Sequence, residues 1–222
     1  MTAHDEPHVH DHSHEHSHAH VPHPPARPDT DDTLTYYKAM EIAVRELLIE
    51  KGVISAEDVR RAIEAMDARS PAQGARIVAR AWSDPAYKAR LLADPNSAIK
   101  ELGIEPGVYT LVVLENTAGV HNLVVCTLCS CYPRGVLGLP PDWYKSRAYR
   151  SRAVREPRAV LREFGTEIPD HVEVRVHDST ADMRYLVLPE RPAGTKGLTE
   201  GALAELVTRD SMIGVARVLA PG

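Results

Sequence analysis

The stretch Tyr109-Thr-Leu-Val-Val-Leu114, followed by His121-Asn-Leu-Val-Val125, decides the fold of this chain of 222 residues. Both segments are short runs of β-branched and other apolar residues, which are typical of buried strands. The residues between them, Asn116-Thr-Ala-Gly119, have the composition of a turn. Two later segments of the same kind, Val172–Val176 and Arg184–Leu188, predict two more strands.

Before these strands, the apolar residues recur at helical spacing. Residues 31–105 therefore predict a helical N-terminal arm, in which Gly52 is placed to end the first helix. Ser55 and Asp58 resemble a capping box that opens the second helix. Asp84-Pro85 provides a cap and a first-turn proline for a later helix.

The remaining residues predict a second part of the molecule. Helical stretches are expected from residue 140, over residues 156–165 and over residues 199–207, around the four strands. The predicted fold class is α+β, with the helical arm followed by a layered α-β-β-α body. We expect a disordered tail over residues 1–30, the arm over residues 31–105 and an α/β metal-binding catalytic domain over residues 106–222.

The charge and composition exclude several classes of function. The chain carries 26 Lys and Arg against 31 Asp and Glu, and residues 1–30 supply −4 of its net charge of −5. The nearly neutral remainder gives no electrostatic reason to expect nucleic acid or a membrane as partner. A basic run from Lys145 to Arg162 is interrupted by acidic residues, which favours a surface that docks against a partner subunit. Without a long apolar run or a signal peptide, the expected location is the cytoplasm.

The first thirty residues are rich in histidine. Nine of the 12 histidines lie there, mostly at every second position. A segment with so few apolar residues cannot bury enough surface to offset its loss of conformational entropy, so we expect disorder. Imidazoles at this density bind cobalt, nickel, copper or zinc weakly. The tail is therefore either a metal-capturing segment or one without a role in turnover.

All three cysteines fall within six residues, Cys126-Thr-Leu-Cys-Ser-Cys131. An odd and crowded set is a poor framework for disulfides, and clustered thiols in a cytoplasmic chain indicate metal binding or redox chemistry. Cys126, Cys129 and Cys131 can place three sulfurs on one ion, which brings the peptide nitrogens of Ser130 and Cys131 within ligand distance. A strongly Lewis-acidic trivalent ion would then have three sulfur ligands, two nitrogen ligands and one open position.

Two simpler interpretations of this loop stay open. Structural zinc sites usually have four side-chain ligands in two separated pairs. The nearest candidate for a fourth ligand is His121, five residues before Cys126, and it could bind only with distortion of the strand. The other interpretation is a buried cluster of reduced thiols that binds no metal.

The loop and the residues around it resemble the sequences of a known protein family. Val124-Val-Cys-Thr-Leu-Cys-Ser-Cys-Tyr-Pro133, with Val136-Leu-Gly-Leu-Pro-Pro-Asp-Trp-Tyr-Lys145, strongly resembles the α subunit of nitrile hydratases. The γ subunit of thiocyanate hydrolases shares the loop. The resemblance extends from about Val44 to Gly214. It includes residues 81–85, 149–152, 155–158, 188–195 and 207–214.

This resemblance implies a non-haem Co(III) centre, or alternatively Fe(III), bound by Cys126, Cys129, Ser130 and Cys131. In the family the middle cysteine is oxidised to sulfinic acid and the last to sulfenic acid, which here are Cys129 and Cys131. Cys126 would remain an unmodified axial thiolate. Cys129, Ser130 and Cys131 are the predicted catalytic residues. Thr127 follows the first cysteine, as is usual in cobalt members, so cobalt is the expected metal.

The resemblance also implies a reaction and partners. Nitrile hydratases convert a small nitrile to its amide, and the nitrile nitrogen binds the metal while the Cys131 sulfenate, or a water that it activates, adds to the carbon. The family supplies arginines to the site from a β subunit. We therefore expect activity only in an αβ heterodimer or a larger assembly. An activator or metallochaperone is expected to insert the metal.

Three positions depart from the nitrile hydratase pattern. Arg134 replaces a tryptophan, residues 105–109 replace a Gln-Gly-Glu run, and Asp182 replaces a glutamate. Arg134 resembles the thiocyanate hydrolase side of the superfamily, and an arginine near the site suits an anion. Nitrile hydration is the first hypothesis, and hydrolysis of thiocyanate to carbonyl sulfide and ammonia is the second. A third is a non-enzymatic metal carrier that uses both the tail and the loop.

Overall fold

The structure is a computed structural model and describes residues 34–220, so the predicted disordered tail, residues 1–30, lies outside the described residues. The described part mixes helices and short strands, which confirms the α+β class. Its helices are α1 (Tyr36–Glu50), α2 (Ala56–Asp67), α3 (Pro71–Ser83), α4 (Pro85–Ala93), α5 (Pro95–Lys100), α6 (Arg134–Leu137), α7 (Asp142–Lys145), α8 (Arg147–Arg155), α9 (Pro157–Glu163), α10 (Glu200–Leu206) and α11 (Arg209–Ile213). Its strands are β1 (Thr110–Glu115), β2 (Val120–Val125), β3 (Glu173–Asp178) and β4 (Met183–Leu188).

Helices α1 and α2 form the first part of the described chain, and none of their residues is buried. The predicted capping box at the start of α2 is confirmed. The Asp58 amide donates to Ser55 Oγ and the Ser55 amide donates to the Asp58 carboxylate, both at 3.0 Å. Gly52 follows the end of α1 with φ of 66°, a left-handed conformation that glycine adopts without strain. The predicted end of α1 is therefore also confirmed.

The four strands form two small parallel sheets. β1 pairs with β4 from Thr110 opposite Met183, and β2 pairs with β3 from Val120 opposite Glu173. β1 and β2 are neighbours in sequence, but in the described part of the chain each pairs with a later strand. Parallel partners need long connections, and helices α6 to α9 provide the one between β2 and β3.

The core lies around β2 and α3. The last residues of β2, Leu123, Val124 and Val125, have no exposed surface. Burying side chains of this size contributes roughly 1.5–3 kcal/mol each, which fixes β2 firmly in the body. α3 buries Ile77 and Val78 completely and packs against α10, α6 and α4. Because β2 leads directly into the cysteine segment, the start of that segment has a rigid base.

The predicted division into an arm over residues 31–105 and a catalytic domain over residues 106–222 stays a prediction. Helices α3, α4 and α5 precede residue 106, yet α4 and α5 contact β1 and α3 contacts α10. Two short helices, α6 and α11, were not among the predicted elements. Within residues 34–220, no helix is long and apolar enough to cross a membrane.

Candidate metal centre

The cysteine loop, residues 126–131, begins directly after the buried end of β2. Cys126 is buried, Cys131 is partly exposed and Cys129 is exposed, and all three are free thiols. The sulfur of Cys129 lies 3.4 Å from that of Cys126 and 3.1 Å from that of Cys131. All three sulfurs lie within 4.8 Å of one another. The loop therefore gathers the three predicted ligand side chains at one point.

This sulfur cluster fits a transition-metal ion. Three thiols converge without forming a disulfide, and soft sulfur donors favour such ions over calcium or magnesium. Among the described residues, no histidine or carboxylate joins the cluster. A structural zinc site needs four ligands, so these side chains alone fit one poorly.

His121 does not join the three sulfurs. Its Nε2 lies 2.7 Å from the Gly214 carbonyl oxygen, and its Nδ1 lies 3.3 Å from the side-chain amide of Asn116. Since Nε2 must donate to a carbonyl, Nδ1 accepts from the amide, and both ring nitrogens are used. The zinc interpretation therefore lacks its proposed fourth ligand in this structure.

The Cys129 and Cys131 thiols differ in acidity because Cys131 is more deeply buried and because a hydrogen bond joins the two sulfurs. The hydrogen bond from Cys131 lowers the pKa of the Cys129 thiol, although partial burial acts against it. Burial raises the pKa of the Cys131 thiol to about 12, and the hydrogen bond with Cys129 acts in the same direction. Cys129 is therefore the first of this pair to become a thiolate, with Cys131 as its proton donor.

Asp178, the last residue of β3, holds the outer side of the loop. The Thr127 amide donates to Asp178 Oδ1 at 2.9 Å, and the Thr127 hydroxyl donates to Asp178 Oδ2 at 2.5 Å. The parallel pairing places Asp178 opposite Val125, immediately before the loop. Sequence reasoning missed this contact because Asp178 is 51 residues from Thr127.

Helices α7 and α8 hold the inner side of the loop through two side chains and the end of β2 through a third. The Tyr149 hydroxyl donates to the Val124 carbonyl at 2.6 Å, just before the loop. Arg150 donates to the Cys129 carbonyl at 2.6 Å, and the Tyr144 hydroxyl donates to the Cys131 carbonyl at 2.8 Å. These donors were also missed, because they follow the loop at no spacing that a motif would reveal.

The structure also changes the interpretation of the basic run from Lys145 to Arg162. Most of its cations bind groups of this chain rather than projecting freely. Arg152 forms ion pairs with Glu156 and Glu163, and Arg158 donates to backbone carbonyls such as that of Ile168. The prediction of a docking surface therefore applies at most to exposed members such as Arg147 and Arg162.

Two further arginines lie near the loop. The Arg184 guanidinium lies 5.1 Å from the centre of the Tyr109 ring, and its charge acts to lower the pKa of Cys131 against the larger effect of burial. Arg134, the first residue of α6, is exposed, and its charge acts to lower the pKa of Tyr109 against the larger effect of burial. Asp182, another departure from the family pattern, is exposed just before β4. Arg184 therefore adds positive charge near Cys131, while Asp178 places a carboxylate on the outer side of the loop.

The fold and the site define an α+β protein with a candidate metal site, whose three cysteines come from a single loop. The family described as nitrile hydratase, alpha chain, matches residues 35–216. The chain belongs to this family, as the resemblance of the loop predicted.

Individual relatives agree with this assignment. The chain is 55% identical over 177 residues to the low-molecular weight cobalt-containing nitrile hydratase subunit alpha of Rhodococcus rhodochrous, covering 78% of this chain and 85% of the relative. It is 48% identical over 192 residues to the thiocyanate hydrolase subunit gamma of Thiobacillus thioparus, covering 81% of this chain and 79% of the relative. A double mutant of the Fe-type nitrile hydratase from Comamonas testosteroni Ni1 superposes with a TM-score of 0.76 at 42% identity, covering 86% of this chain and 94% of that chain.

Proposed function

We propose that this chain is the metal-binding α subunit of a cobalt nitrile hydratase, which hydrates a small nitrile to the corresponding amide. The observation that carries the proposal is the convergence of Cys126, Cys129 and Cys131 on one point, in a chain that belongs to the nitrile hydratase α-chain family. Four relatives described as nitrile hydratase α subunits share 49–55% of their aligned residues with it, and three of them are described as cobalt-containing.

The residues that would hold the metal are Cys126, Cys129 and Cys131 through sulfur, with the peptide nitrogen of Ser130 and that of Cys131 as further ligands. Backbone N–H groups of both residues already act on the Cys129 sulfur, where they help to lower its pKa. Co(III) at this place would supply Lewis acidity, which polarises the carbon–nitrogen triple bond of a nitrile.

The exposure of the cysteines supports the proposed pattern of oxidation. Oxidation of cysteine requires an electron-rich sulfur that an oxidant can reach. Cys129 and Cys131, the proposed sulfinic and sulfenic residues, both reach the surface, while Cys126, the proposed unmodified thiolate, is buried. The oxidised Cys131 would provide the oxygen that attacks the nitrile carbon, or would accept a proton from an attacking water.

Cobalt rather than iron is proposed from the loop and the relatives together. Thr127 stands where cobalt members usually have threonine, and the relative from R. rhodochrous is described as cobalt-containing. The Fe-type structure from C. testosteroni has the same fold at lower identity, so the fold alone does not favour either metal.

The active form would be an αβ heterodimer or a larger assembly, loaded by an activator or metallochaperone. Helices α1 and α2 expose large apolar side chains that a partner subunit would cover. These include Tyr36, Tyr37, Met40, Val44, Leu47, Ile63 and Met66. Neither nucleic acid nor a membrane is a partner in this proposal. The proposed location is the cytoplasm, where unloaded thiols stay reduced.

The test is to produce the full chain with its β subunit and activator in cobalt medium and to assay it on a nitrile. We expect one cobalt per αβ unit and formation of the amide. Mass spectrometry of the loop peptide should show two added oxygens on Cys129 and one on Cys131. If the protein binds metal but shows no activity and keeps all three cysteines unoxidised, it is a metal carrier and the proposal is wrong.

A second candidate function is hydrolysis of thiocyanate. Arg134 is the observation that favours it, because an exposed cation three residues after Cys131 suits an anionic substrate. The same assembly should be assayed on thiocyanate for carbonyl sulfide and ammonia, with Arg134→Trp as the matched variant. Carbonyl sulfide without amide from nitriles, abolished in Arg134→Trp, would establish the second function in place of the first.

A further inference from the structure

Arg150 lies in α8 and its guanidinium reaches back to the cysteine loop. Its Nη1 donates a hydrogen bond of 2.6 Å to the Cys129 carbonyl oxygen. Its Nε is buried and has no acceptor among the described residues. The other donors from this segment, the hydroxyls of Tyr144 and Tyr149, are neutral. The charged donor is therefore directed at one peptide group, the one that joins Cys129 to Ser130.

The opposite side of this peptide group faces sulfur. The Ser130 N–H is directed at the Cys129 sulfur. In a planar trans peptide the C=O and the N–H point in opposite directions. A hydrogen bond that fixes the Cys129 carbonyl therefore also fixes the direction of the Ser130 nitrogen.

The charge of Arg150 matters as well as its position. A peptide nitrogen that serves as a metal ligand places negative charge on the oxygen of the same peptide, because the two atoms share π electrons. A guanidinium in contact with that oxygen favours this charge more than a neutral hydroxyl does. Within residues 34–220, the Ser130 carbonyl receives no such hydrogen bond. The charge of Arg150 therefore acts on the Cys129–Ser130 peptide and not on the Ser130–Cys131 peptide.

We propose that Arg150 is a positioning residue for the metal centre. It holds the Cys129–Ser130 peptide so that the Ser130 nitrogen faces the three sulfurs, and it offsets the negative charge that this peptide carries as a ligand. The inference rests on the proposed function, because it requires a metal ion in the loop. Arg150 acts through the Cys129 carbonyl and provides no ligand itself.

The experiment compares Arg150→Gln, which removes the charge, with Arg150→Lys, which keeps it. Each variant is produced as the full chain with the β subunit and activator, and three quantities are measured. They are the cobalt content, the sulfur-to-cobalt charge-transfer absorption band and the retention of cobalt in excess chelator. We expect Arg150→Gln to shift the band and to retain cobalt about tenfold less well, since outer partners of metal ligands have effects of this size. Arg150→Lys should restore most of the retention.

Two control variants separate this role from a general loss of stability. Arg90→Gln removes an exposed arginine of α4 that forms an ion pair with Glu101 and lies outside the basic run, so it should change neither the absorption band nor the cobalt retention. Tyr149→Phe removes the hydrogen bond to the Val124 carbonyl, outside the loop. It should lower the melting midpoint without shifting the absorption band.

The outcomes distinguish this inference from the proposed function. A band and a cobalt retention in Arg150→Gln equal to those of the unmodified protein would overturn the role of Arg150. The same band shift in Tyr149→Phe, at an equal loss of melting midpoint, would overturn it too, because the effect would be structural. Absence of cobalt from the unmodified assembly would instead overturn the proposed function, and this inference with it.

Discussion

Cys126, Cys129 and Cys131 lie within six residues of sequence, yet their surroundings differ sharply. The first directly follows a strand whose last residues are fully buried, while the other two belong to irregular backbone at the surface. A ligand set from one short loop depends on backbone geometry, because every ligand shares the same few peptide groups. The residues that hold those peptides, Asp178 and Arg150, therefore matter as well as the sulfurs.

Removal of one sulfur tests the ligand set directly. Cys129→Ala or Cys131→Ala leaves two sulfurs, so we expect loss of bound cobalt and of amide formation in the assembled enzyme. Thr127→Ser is a matched variant in the same loop that keeps all three sulfurs and the hydroxyl that binds Asp178, so it should still bind cobalt when cobalt is the metal supplied. Full cobalt content with normal turnover in either cysteine variant would falsify the assignment of that residue as a ligand.

Loss of the Asp178 carboxylate should loosen the loop without removing a ligand. Asp178→Ala deletes both hydrogen bonds to Thr127, and we expect the free energy of unfolding to fall by about 1 kcal/mol. Cobalt retention in chelator should fall with it. Glu173→Ala, at the start of the same strand, removes only an exposed ion pair and is the control. Equal cobalt retention in the two variants would contradict the anchoring role of Asp178.

At the scale of secondary-structure elements, a buried polar network joins the two sheets. His177 of β3 donates to the Asn122 side chain of β2 at 2.9 Å, and Asn122 in turn bonds Asn116 after β1. His121 of β2 continues the network to the carbonyl of Gly214. This network fixes the strand that carries the cysteine loop.

The network should weaken in mild acid. Burial lowers the pKa of His121, and the charges of Arg217 and Arg158 act in the same direction although the bond to Gly214 opposes them. Burial also lowers the pKa of His177. At a pH near and just below 6.5, roughly the histidine pKa of the unfolded chain, the unfolded chain therefore binds more protons than the folded chain. The stabilisation by the network is complete above that pH and is lost as the pH falls toward the lowered pKa values of the folded protein.

Thermal melting of the assembled protein between pH 8 and pH 5 measures this effect. We expect the midpoint of the unmodified protein to fall across the acidic half of this range. His121→Gln cannot titrate, so its midpoint should be lower at pH 8 but should fall less on acidification. Equal pH dependence in the two proteins would show that His121 does not contribute.

The sequence predicted the helices and strands better than it predicted which of them contact one another. Helical spacing and caps located the long helices and the run of apolar residues located the strands, because these signals are local. α6 and α11 have four and five residues, too few to show a helical period. Strand pairing was not predictable because β1 bonds β4 across the rest of the body. The cysteines were found because they are adjacent, whereas Asp178 and Arg150 reach the loop from 51 and 21 residues away.

At the scale of the whole molecule, the described chain has a packed body and two helices, α1 and α2, in which no residue is fully buried. An exposed apolar surface of this kind marks contact with another protein. The loop lies at the surface of the body, with Leu128 88% exposed in its middle. Both features support the proposed assembly, in which a partner subunit completes the site.

Deletion of residues 1–30 tests the role of the histidine-rich tail. The proposed ligands lie in the loop, so we expect the assembled and cobalt-loaded enzyme to keep its turnover per bound cobalt. If the tail captures metal, loading at limiting cobalt should fall while turnover per cobalt stays constant. A large loss of turnover per bound cobalt would contradict the prediction that the tail has no part in catalysis.

X-ray absorption at the metal edge of the natively assembled, full-length protein tests the central claim most directly. We predict trivalent cobalt with three sulfur and two nitrogen neighbours, plus a light atom at the exchangeable position. A divalent ion with tetrahedral ligands, or a loop that binds no metal after coexpression with the activator, would contradict the claim that this hexapeptide forms the catalytic centre.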